Sequence, residues 1–341
     1  MKAFTGVIAV IAICTALLFA RTIFAPVAFA LFVIAVAWPL QRALQARMPK
    51  MLAVLITVAV ALGVVFAVSY RVVWGFCHVA AWVVQNAARL QALYGEFGTW
   101  LEQHGFVLGT VVTETFDMRW VFRVFQDLSA RLQGLASFLV VTFVYVLLGL
   151  LEVDAVASQL RRMKAPVSGA FLSAAFSDTA AKLQKYMLVR TLMSVATGAV
   201  VWLFTLTAGL ELALAWGALA FGLNYIPFLG PFVATLLPTT FALAQFESWQ
   251  MALFVFVSLN VIQFLSGSYI EPRIAGAALS MSPFLVLFAV FFWAFLWGIS
   301  GAFIGVPIMI AVLTFCAHHP ATRPVADLFS GQPAPEEAPA A

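Results

Sequence analysis

The chain contains very little charge for its size. Of its 341 residues, 9% are Asp, Glu, Lys or Arg and 64% are hydrophobic. Soluble globular proteins carry about 25% charged residues, because a folded soluble body must present a polar surface to water. The mean hydropathy of +1.04 points the same way. These values exclude a soluble enzyme and a disordered scaffold, and they indicate a polytopic membrane protein.

Motifs for cofactors, metals and nucleic acid are also lacking. The net charge is +4, but the basic residues are too few and too scattered to form a phosphate-tracking groove. Cys14, Cys77 and Cys316 are odd in number and far apart in sequence, so they do not indicate a disulfide framework. There is no Walker A loop and no HExxH motif. We therefore expect no cofactor, no metal and no nucleic-acid partner, and no ATP-driven transport by this chain alone.

Long apolar runs dominate the sequence. A bilayer core about 30 Å thick requires about 20 apolar residues in helical form. The first run, which follows Lys2, also resembles a cleavable signal peptide, and both interpretations stay open. The apolar runs cover about 3–20, 23–39, 51–74, 135–151, 187–208, 212–246, 249–269 and 283–317.

Two of these runs, 212–246 and 283–317, are too long for one straight span and contain helix-breaking residues. Proline and glycine are poorly tolerated inside helices unless neighbouring groups satisfy the backbone. We expect both runs to be helical hairpins or broken helices. The predicted fold is an all-α polytopic helical membrane protein with about eight spans, including these two. The breaking residues are Pro227, Gly230 and Pro231 in the first run, and Gly298, Gly301, Gly305 and Pro307 in the second.

The distribution of basic residues predicts the orientation, since short cytoplasmic loops are rich in Lys and Arg. Two loops are basic, one after the second span and one after the fourth, which places both termini in the cytoplasm. The predicted organisation is three N-terminal spans (1–74), an extracytoplasmic amphipathic helical segment (75–132), a fourth span (133–151), a cytoplasmic basic amphipathic segment (152–186), the C-terminal spans with broken segments (187–317) and a disordered cytoplasmic tail (318–341).

The segment Asn224–Pro231, with the sequence NYIPFLGP, lies within an apolar run. Its prolines and glycine cannot continue a regular helix, so backbone groups are freed at membrane depth. Many secondary transporters build substrate and ion sites from such broken helices. A tight hairpin turn without a ligand explains the same residues, and the two interpretations are equally supported by residue chemistry.

Three polar side chains stand out near the seventh run. Asn260 and Gln263 are one turn apart in an otherwise apolar span, and we expect them to be buried. Glu271 follows the same span, and a carboxylate beside the membrane is a candidate carrier of a proton or cation. Alternatively, Glu271 and Arg273 mark the end of the helix at the membrane surface.

One enzyme motif also needs to be weighed. The sequence Gly298-Ile299-Ser300-Gly301 has the GxSG form of rhomboid-type intramembrane serine proteases. Such a serine needs a base within hydrogen-bond distance, and no histidine lies inside an apolar run. Gly301 and Gly305 also form a GxxxG motif, which more often indicates close helix packing.

Taken together, four stretches resemble the autoinducer-2 exporter family of bacterial membrane transporters. They span most of the chain, and the last two are fairly specific in combination. The stretches are Pro26 and Pro39 with the basic loop after them; Lys185-Tyr186 with Arg190; the IPFLGP turn; and Tyr269-Ile270-Glu271-Pro272 through Gly276 and Pro283 to Gly298, Gly301, Gly305, Val306 and Pro307.

The resemblance implies about eight spans, a homo-oligomer and secondary transport across the bacterial inner membrane. Family members are credited with export of autoinducer-2 in quorum sensing, and others act as antiporters that exchange sodium or lithium for protons. Membership therefore leaves the substrate open. The resemblance implies backbone-shaping roles for its glycines and prolines, with Glu271 as the best ionisable candidate. The residues implied are Asn224, Pro227, Gly230, Pro231, Glu271, Pro272, Gly301, Gly305 and Pro307.

The leading hypothesis is a transporter in the lipid bilayer that moves a small polar solute or a monovalent cation, coupled to protons or sodium. Its pathway would include the residues implied by the resemblance together with Asn260 and Gln263. An uncoupled pore or scaffold is the main alternative, and an intramembrane protease using Ser300 is the second. We expect no enzyme activity.

Overall fold

The computed structural model describes residues 2–86, 118–162, 166–275 and 281–329, with isolated positions between 89 and 103. No strand occurs in these ranges. The predicted all-helical membrane fold is confirmed. The helices are α1 (Lys2–Phe19), α2 (Arg21–Gln45), α3 (Lys50–Gln85), α4 (Met118–Arg161), α5 (Pro166–Thr207), α6 (Ala213–Leu223), α7 (Leu229–Phe246), α8 (Trp249–Phe264) with a π-helical turn (Leu265–Ile270), α9 (Glu271–Ala275), α10 (Pro283–Trp297), α11 (Ile299–His318) and α12 (Arg323–Phe329).

Within the described ranges, seven segments are long and apolar enough to cross a membrane. Two shorter apolar helices, α6 and α10, accompany them. The segments are Arg21–Gln45, Lys50–Gln85, Ser137–Gln159, Phe171–Thr207, Leu229–Phe246, Trp249–Ile270 and Ile299–His318.

Three of the helices are much longer than a bilayer is thick. The helices α3, α4 and α5 contain 36, 44 and 42 residues. At about 1.5 Å per residue they measure about 54–66 Å, against about 30 Å for the hydrocarbon core. The predicted segment boundaries at 74, 132, 151 and 186 fall inside these helices, because a change in composition at the membrane edge does not interrupt backbone hydrogen bonding.

The two long runs are broken, as predicted from their prolines and glycines. The first divides into α6 and α7, joined by residues 224–228. The second divides into α10 and α11 at Gly298, whose φ of +67° lies in the left-handed region that glycine adopts without a steric cost. Each break therefore occurs where the sequence removes either a backbone donor or a Cβ atom.

The chain divides into two compact units, and each is described by itself. The first unit comprises Met1–Val65, Phe138–Thr191 and Ile270–Ala341. One of its core clusters joins α2, α3 and α4, and its buried members are Ala30, Val54, Phe143, Val146 and Leu150.

The second unit comprises Phe66–Ser137 and Leu192–Tyr269. Its core includes large apolar side chains from the end of α3, from α6, from α7 and from α8. Among the buried members are Trp82, Trp216, Leu219, Phe241 and Leu259.

The pair α10 and α11 shows what the GxxxG motif does in the first unit. A Cβ atom on Gly301 would overlap the carbonyl oxygen of Trp293, and one on Gly305 would lie 2.7 Å from the carbonyl oxygen of Ala289. The two glycines therefore let the helix backbones approach closely, which is the packing role that the motif indicates.

The segment after α11 departs from its prediction. Disorder was predicted for 318–341, but 323–329 form α12. This helix is held by burial of Ala326 and by a hydrogen bond from the backbone amide of Ser282 to the carbonyl of Phe329. Residues 330–341, most of 87–117 and the side chains of 121–132 lie outside the described residues, so much of the predicted amphipathic segment 75–132 does too.

Candidate functional site

In the first unit, Arg190 and Glu271 form an ion pair that is largely shielded from solvent. Nη1 of Arg190 donates to both carboxylate oxygens of Glu271, at 2.6 and 2.7 Å. The two side chains are 8% and 17% exposed. Charge-assisted hydrogen bonds of this kind are about twice as strong as neutral ones. Glu271 is therefore a paired carboxylate held by an arginine on α5, 81 residues earlier in the chain.

Local structure explains why these two side chains are available. Arg190 lies inside the long apolar helix α5, within the span Phe171–Thr207. Glu271 is the first residue of α9, directly after the π-helical turn Leu265–Ile270. Such turns insert an extra residue into the helical repeat, and they occur frequently at functional sites.

Tyr186 completes this cluster. It lies one turn before Arg190 on α5, is 5% exposed and interacts electrostatically with both Arg190 and Glu271. Nε of Arg190 is buried without a hydrogen-bond partner in the part of the chain that the structure describes. The cluster thus contains one positive charge, one negative charge and a hydroxyl group, and it retains one buried donor that the described protein does not use.

In the second unit, the connection between α6 and α7 is a compact turn. The amides of Ile226, Leu229 and Gly230 donate to the carbonyls of Leu223, Pro227 and Ile226, at 2.7–2.9 Å. These backbone groups are therefore paired within the turn. This arrangement favours the tight-turn interpretation of the prolines over freed backbone groups that line a ligand site.

The turn places Gly230 against a neighbouring backbone carbonyl and holds Phe228 in an unusual backbone conformation. A Cβ atom on Gly230 would overlap the carbonyl oxygen of Leu223, so only glycine fits there. Phe228 has a φ of +62°, an uncommon value for a residue with a side chain. Pro231 follows in the first turn of α7, where a missing backbone donor costs little.

Asn224 is a buried polar side chain of this turn. It ends α6, is 6% exposed and donates from Nδ2 to Oγ of Ser194 on α5, at 3.3 Å. The structure therefore pairs the predicted residue Asn224 with Ser194, which was not among the predicted site residues.

Asn260 and Gln263 have different environments, and the expectation that both are buried is wrong for Asn260. Asn260 is exposed and its Nδ2 donates to the carbonyl of Phe256 in its own helix. Gln263 is 8% exposed, and neither Nε2 nor Oε1 has a partner in the described ranges. Positions three apart differ by about 60° around a helix, and the edge of the buried face falls between them.

The remaining predicted residues lie in the first unit. Gly301 and Gly305 support close packing of α10 and α11, and Pro307 is buried within α11. Pro272 is the second residue of α9, and its side chain lies outside the described residues. Within each unit, the structure thus pairs Glu271 with Arg190 and Asn224 with Ser194, whereas the glycines and Pro307 shape the helix packing.

The protease alternative gains no support from the histidines of the same unit. Ser300 is the second residue of α11, and His318 is the last. Eighteen residues of helix separate them by about 27 Å, which is far beyond hydrogen-bond distance. Nδ1 of His318 instead lies 2.9 Å from the carbonyl oxygen of Thr314.

Comparison with known proteins decides the family. The family model described as the AI-2E family transporter matches residues 7–320. The chain belongs to this family. A putative transport protein from Borreliella burgdorferi is 34% identical over 181 residues, which are 52% of this chain and 50% of the relative.

Two Escherichia coli K12 proteins are also similar. The AI-2 transport protein TqsA is 33% identical over 187 residues, 54% of this chain and 53% of the relative. The putative transport protein YhhT is 32% identical over 123 residues, 36% of this chain and 35% of the relative. The chain spans about half the length of the first curated relatives that it matches. Family and relatives indicate a membrane transport protein, consistent with the bacterial inner membrane.

Proposed function

We propose that this member of the AI-2E family is a secondary transporter coupled to protons or sodium, and that the pair Arg190–Glu271 is its charge-coupling element. The observation that carries the proposal is a carboxylate and an arginine paired at 2.6 Å, 17% and 8% exposed, in a chain with very few intramembrane charges. Ionisable residues at such positions are expensive to bury, and in membrane proteins they mark ion pathways and proton relays.

The chemistry of the pair suggests how coupling would work. With both groups charged, Arg190 neutralises Glu271 and the pair is stable in a dry environment. A proton or sodium ion that neutralises the carboxylate competes with the arginine for it, and the freed guanidinium then lacks its counter-charge. Removing one partner of a buried pair costs about 3–5 kcal/mol, which is enough to drive a population shift between two conformations.

The transported solute is proposed to be small and polar, resembling autoinducer-2, or to be a monovalent cation. The relative TqsA is named an AI-2 transport protein, which supports the first class. The membership of the chain in the family supports transport in general. We further propose that both termini are cytoplasmic, because the connection between α2 and α3 and the helix ends beside it carry Arg42, Arg47 and Lys50. We also propose that the protein acts as a homo-oligomer.

The proposal is tested by the substitution Glu271→Gln in purified protein reconstituted into liposomes that contain a pH-sensitive dye. Sodium, lithium and autoinducer-2 are added in turn to an established pH gradient. We expect solute-driven proton movement in the wild-type protein and none in the Glu271→Gln variant, because glutamine cannot carry the charge.

The matched control is Asp154→Asn, which removes the carboxylate of the exposed pair Lys50–Asp154 in the same unit. It makes the same chemical change away from the buried pair, and we expect wild-type flux. Equal flux in wild-type and Glu271→Gln liposomes would remove Glu271 from the mechanism. Solute flux that is indifferent to the ion gradient would instead support the uncoupled pore.

A further inference from the structure

In the first unit, Gln41 is a fully buried amide on α2. Its side chain is 0% exposed, and neither Oε1 nor Nε2 has a hydrogen-bond partner in the described ranges. An unpaired buried polar group costs about 1–3 kcal/mol, and glutamine here presents two donor hydrogens and an acceptor. A fully buried amide without a partner is therefore costly for the helix packing around it.

Thr57 is a second such group on α3. It is 0% exposed, and its Oγ1 has no partner among the same residues. The nearby residues Val54 and Val58 on α3 pack in one core cluster with Trp38, which lies one turn before Gln41 on α2. The short turn at 46–49 makes α2 and α3 an antiparallel pair, so residue 41 is level with residue 54, one turn before Thr57.

The helix α5 contacts α2 near Gln41 and carries a third unpaired hydroxyl. Pro39 lacks a backbone N–H, so it cannot donate to the carbonyl of Ala35 four residues earlier. Nε2 of Gln184 on α5 donates to that carbonyl instead, at 2.8 Å. Thr179 lies five residues before Gln184 on α5, is 7% exposed, and its Oγ1 has no hydrogen-bond partner in the described ranges.

We propose that Gln41 and Thr57 form a buried binding site for a neutral hydroxyl group, supplied either by an ordered water molecule or by a small polyhydroxy solute. The unpaired atoms include an amide nitrogen, which cannot coordinate a cation, and a hydroxyl, which both donates and accepts. A hydroxyl ligand can pair with both kinds of group. Buried waters make about three such bonds, and Thr179 on α5 is proposed as the third partner.

The test uses hydroxyl-radical footprinting of the full-length protein in lipid nanodiscs, read out by mass spectrometry. Val54 is 1% exposed, so hydroxyl radicals formed in bulk water should not label it. Radicals formed from a water molecule bound at Gln41 and Thr57 should label it. We expect labelling of Val54 in the wild-type protein. In the Thr57→Val variant we expect it to fall to the level of Val290, a 0% exposed reference on α10.

Thermal unfolding provides the second measurement. Thr57→Val keeps the shape of the side chain but removes a partner of the bound hydroxyl, so the unfolding midpoint should fall. The matched control is Thr142→Val, because Thr142 is 1% exposed and already donates to the carbonyl of Phe138 in its own helix. We expect Thr142→Val to leave the labelling of Val54 unchanged.

The source of the hydroxyl is identified with erythritol as the probe. If erythritol raises the unfolding midpoint of the wild-type protein more than that of the Gln41→Met variant, the site is assigned to a polyhydroxy solute. If erythritol raises both midpoints equally and Val54 is labelled, the site is assigned to water. No labelling of Val54, together with Thr57→Val and Gln41→Met more stable than wild type, would overturn the proposal. None of these measurements depends on transport, so this site and the proposed function can fail separately.

Discussion

Two ion pairs of the first unit join similar groups over similar distances in very different surroundings. Lys50 and Asp154 are 2.8 Å apart, and their side chains are 40% and 50% exposed. Arg190 and Glu271 are 2.6 Å apart and are 8% and 17% exposed. The first pair links the start of α3 to α4 at the basic end of the α2–α3 hairpin, and the second links α5 to α9.

The two pairs differ in burial and hardly in distance, and burial determines how the loss of one partner affects stability. An exposed pair contributes about 0–1 kcal/mol, because water and salt stabilise the separated charges nearly as well. A buried pair gains little net stability over an apolar pair, but losing one partner is costly. The pair Lys50–Asp154 can therefore be exchanged at small cost, whereas removing one partner of Arg190–Glu271 is expected to be costly.

The largest effect is expected from Arg190→Met, which leaves Glu271, a side chain only 17% exposed, without its counter-charge. We expect the free energy of unfolding to fall by about 3–5 kcal/mol. The corresponding change in the exposed pair, Lys50→Met, should cost no more than about 1 kcal/mol. Denaturation of both variants in the same detergent measures the difference, and equal losses would show that the burial of the two pairs is alike.

A smaller effect is expected from ionic strength. Salt screens exposed charges over about 10 Å at 0.1 M and acts much less on buried pairs. Raising the concentration of choline chloride should therefore reduce the stability difference between wild type and Asp154→Asn while leaving that between wild type and Glu271→Gln in place. Differential scanning fluorimetry follows both differences, and a salt-sensitive effect of Glu271→Gln would contradict its shielding from solvent.

The sequence predicts the helical fold and the two broken segments well, because long apolar runs and prolines act locally. Pro227 and Gly298 mark the breaks where the structure has them. Glu271 was also identified from the sequence, since an acidic residue beside an apolar run is conspicuous. Its candidate role stays a prediction.

The residues that pair with the predicted site residues could not be predicted from the sequence. Arg190 is 81 residues from Glu271, and only the packing of helices brings them together. A usable signal was present, because Arg190 lies within an apolar span and such a charge calls for a counter-charge. The sequence also could not show that Gln263 is buried while Asn260 is exposed, since the helices packed around α8 determine which of its faces is buried. The helix α12 was missed because its stability comes from contact with Ser282.

The central claim is that Arg190 and Glu271 couple ions to transport rather than only holding the fold together. The most direct test is the double variant Arg190→Met/Glu271→Leu, with unfolding and coupled flux measured on the same preparation. Replacing a buried ion pair by apolar side chains is often neutral for stability. We predict that stability returns close to the wild-type value while coupled flux stays absent. Recovery of flux together with stability would contradict the claim and leave the pair a purely structural role.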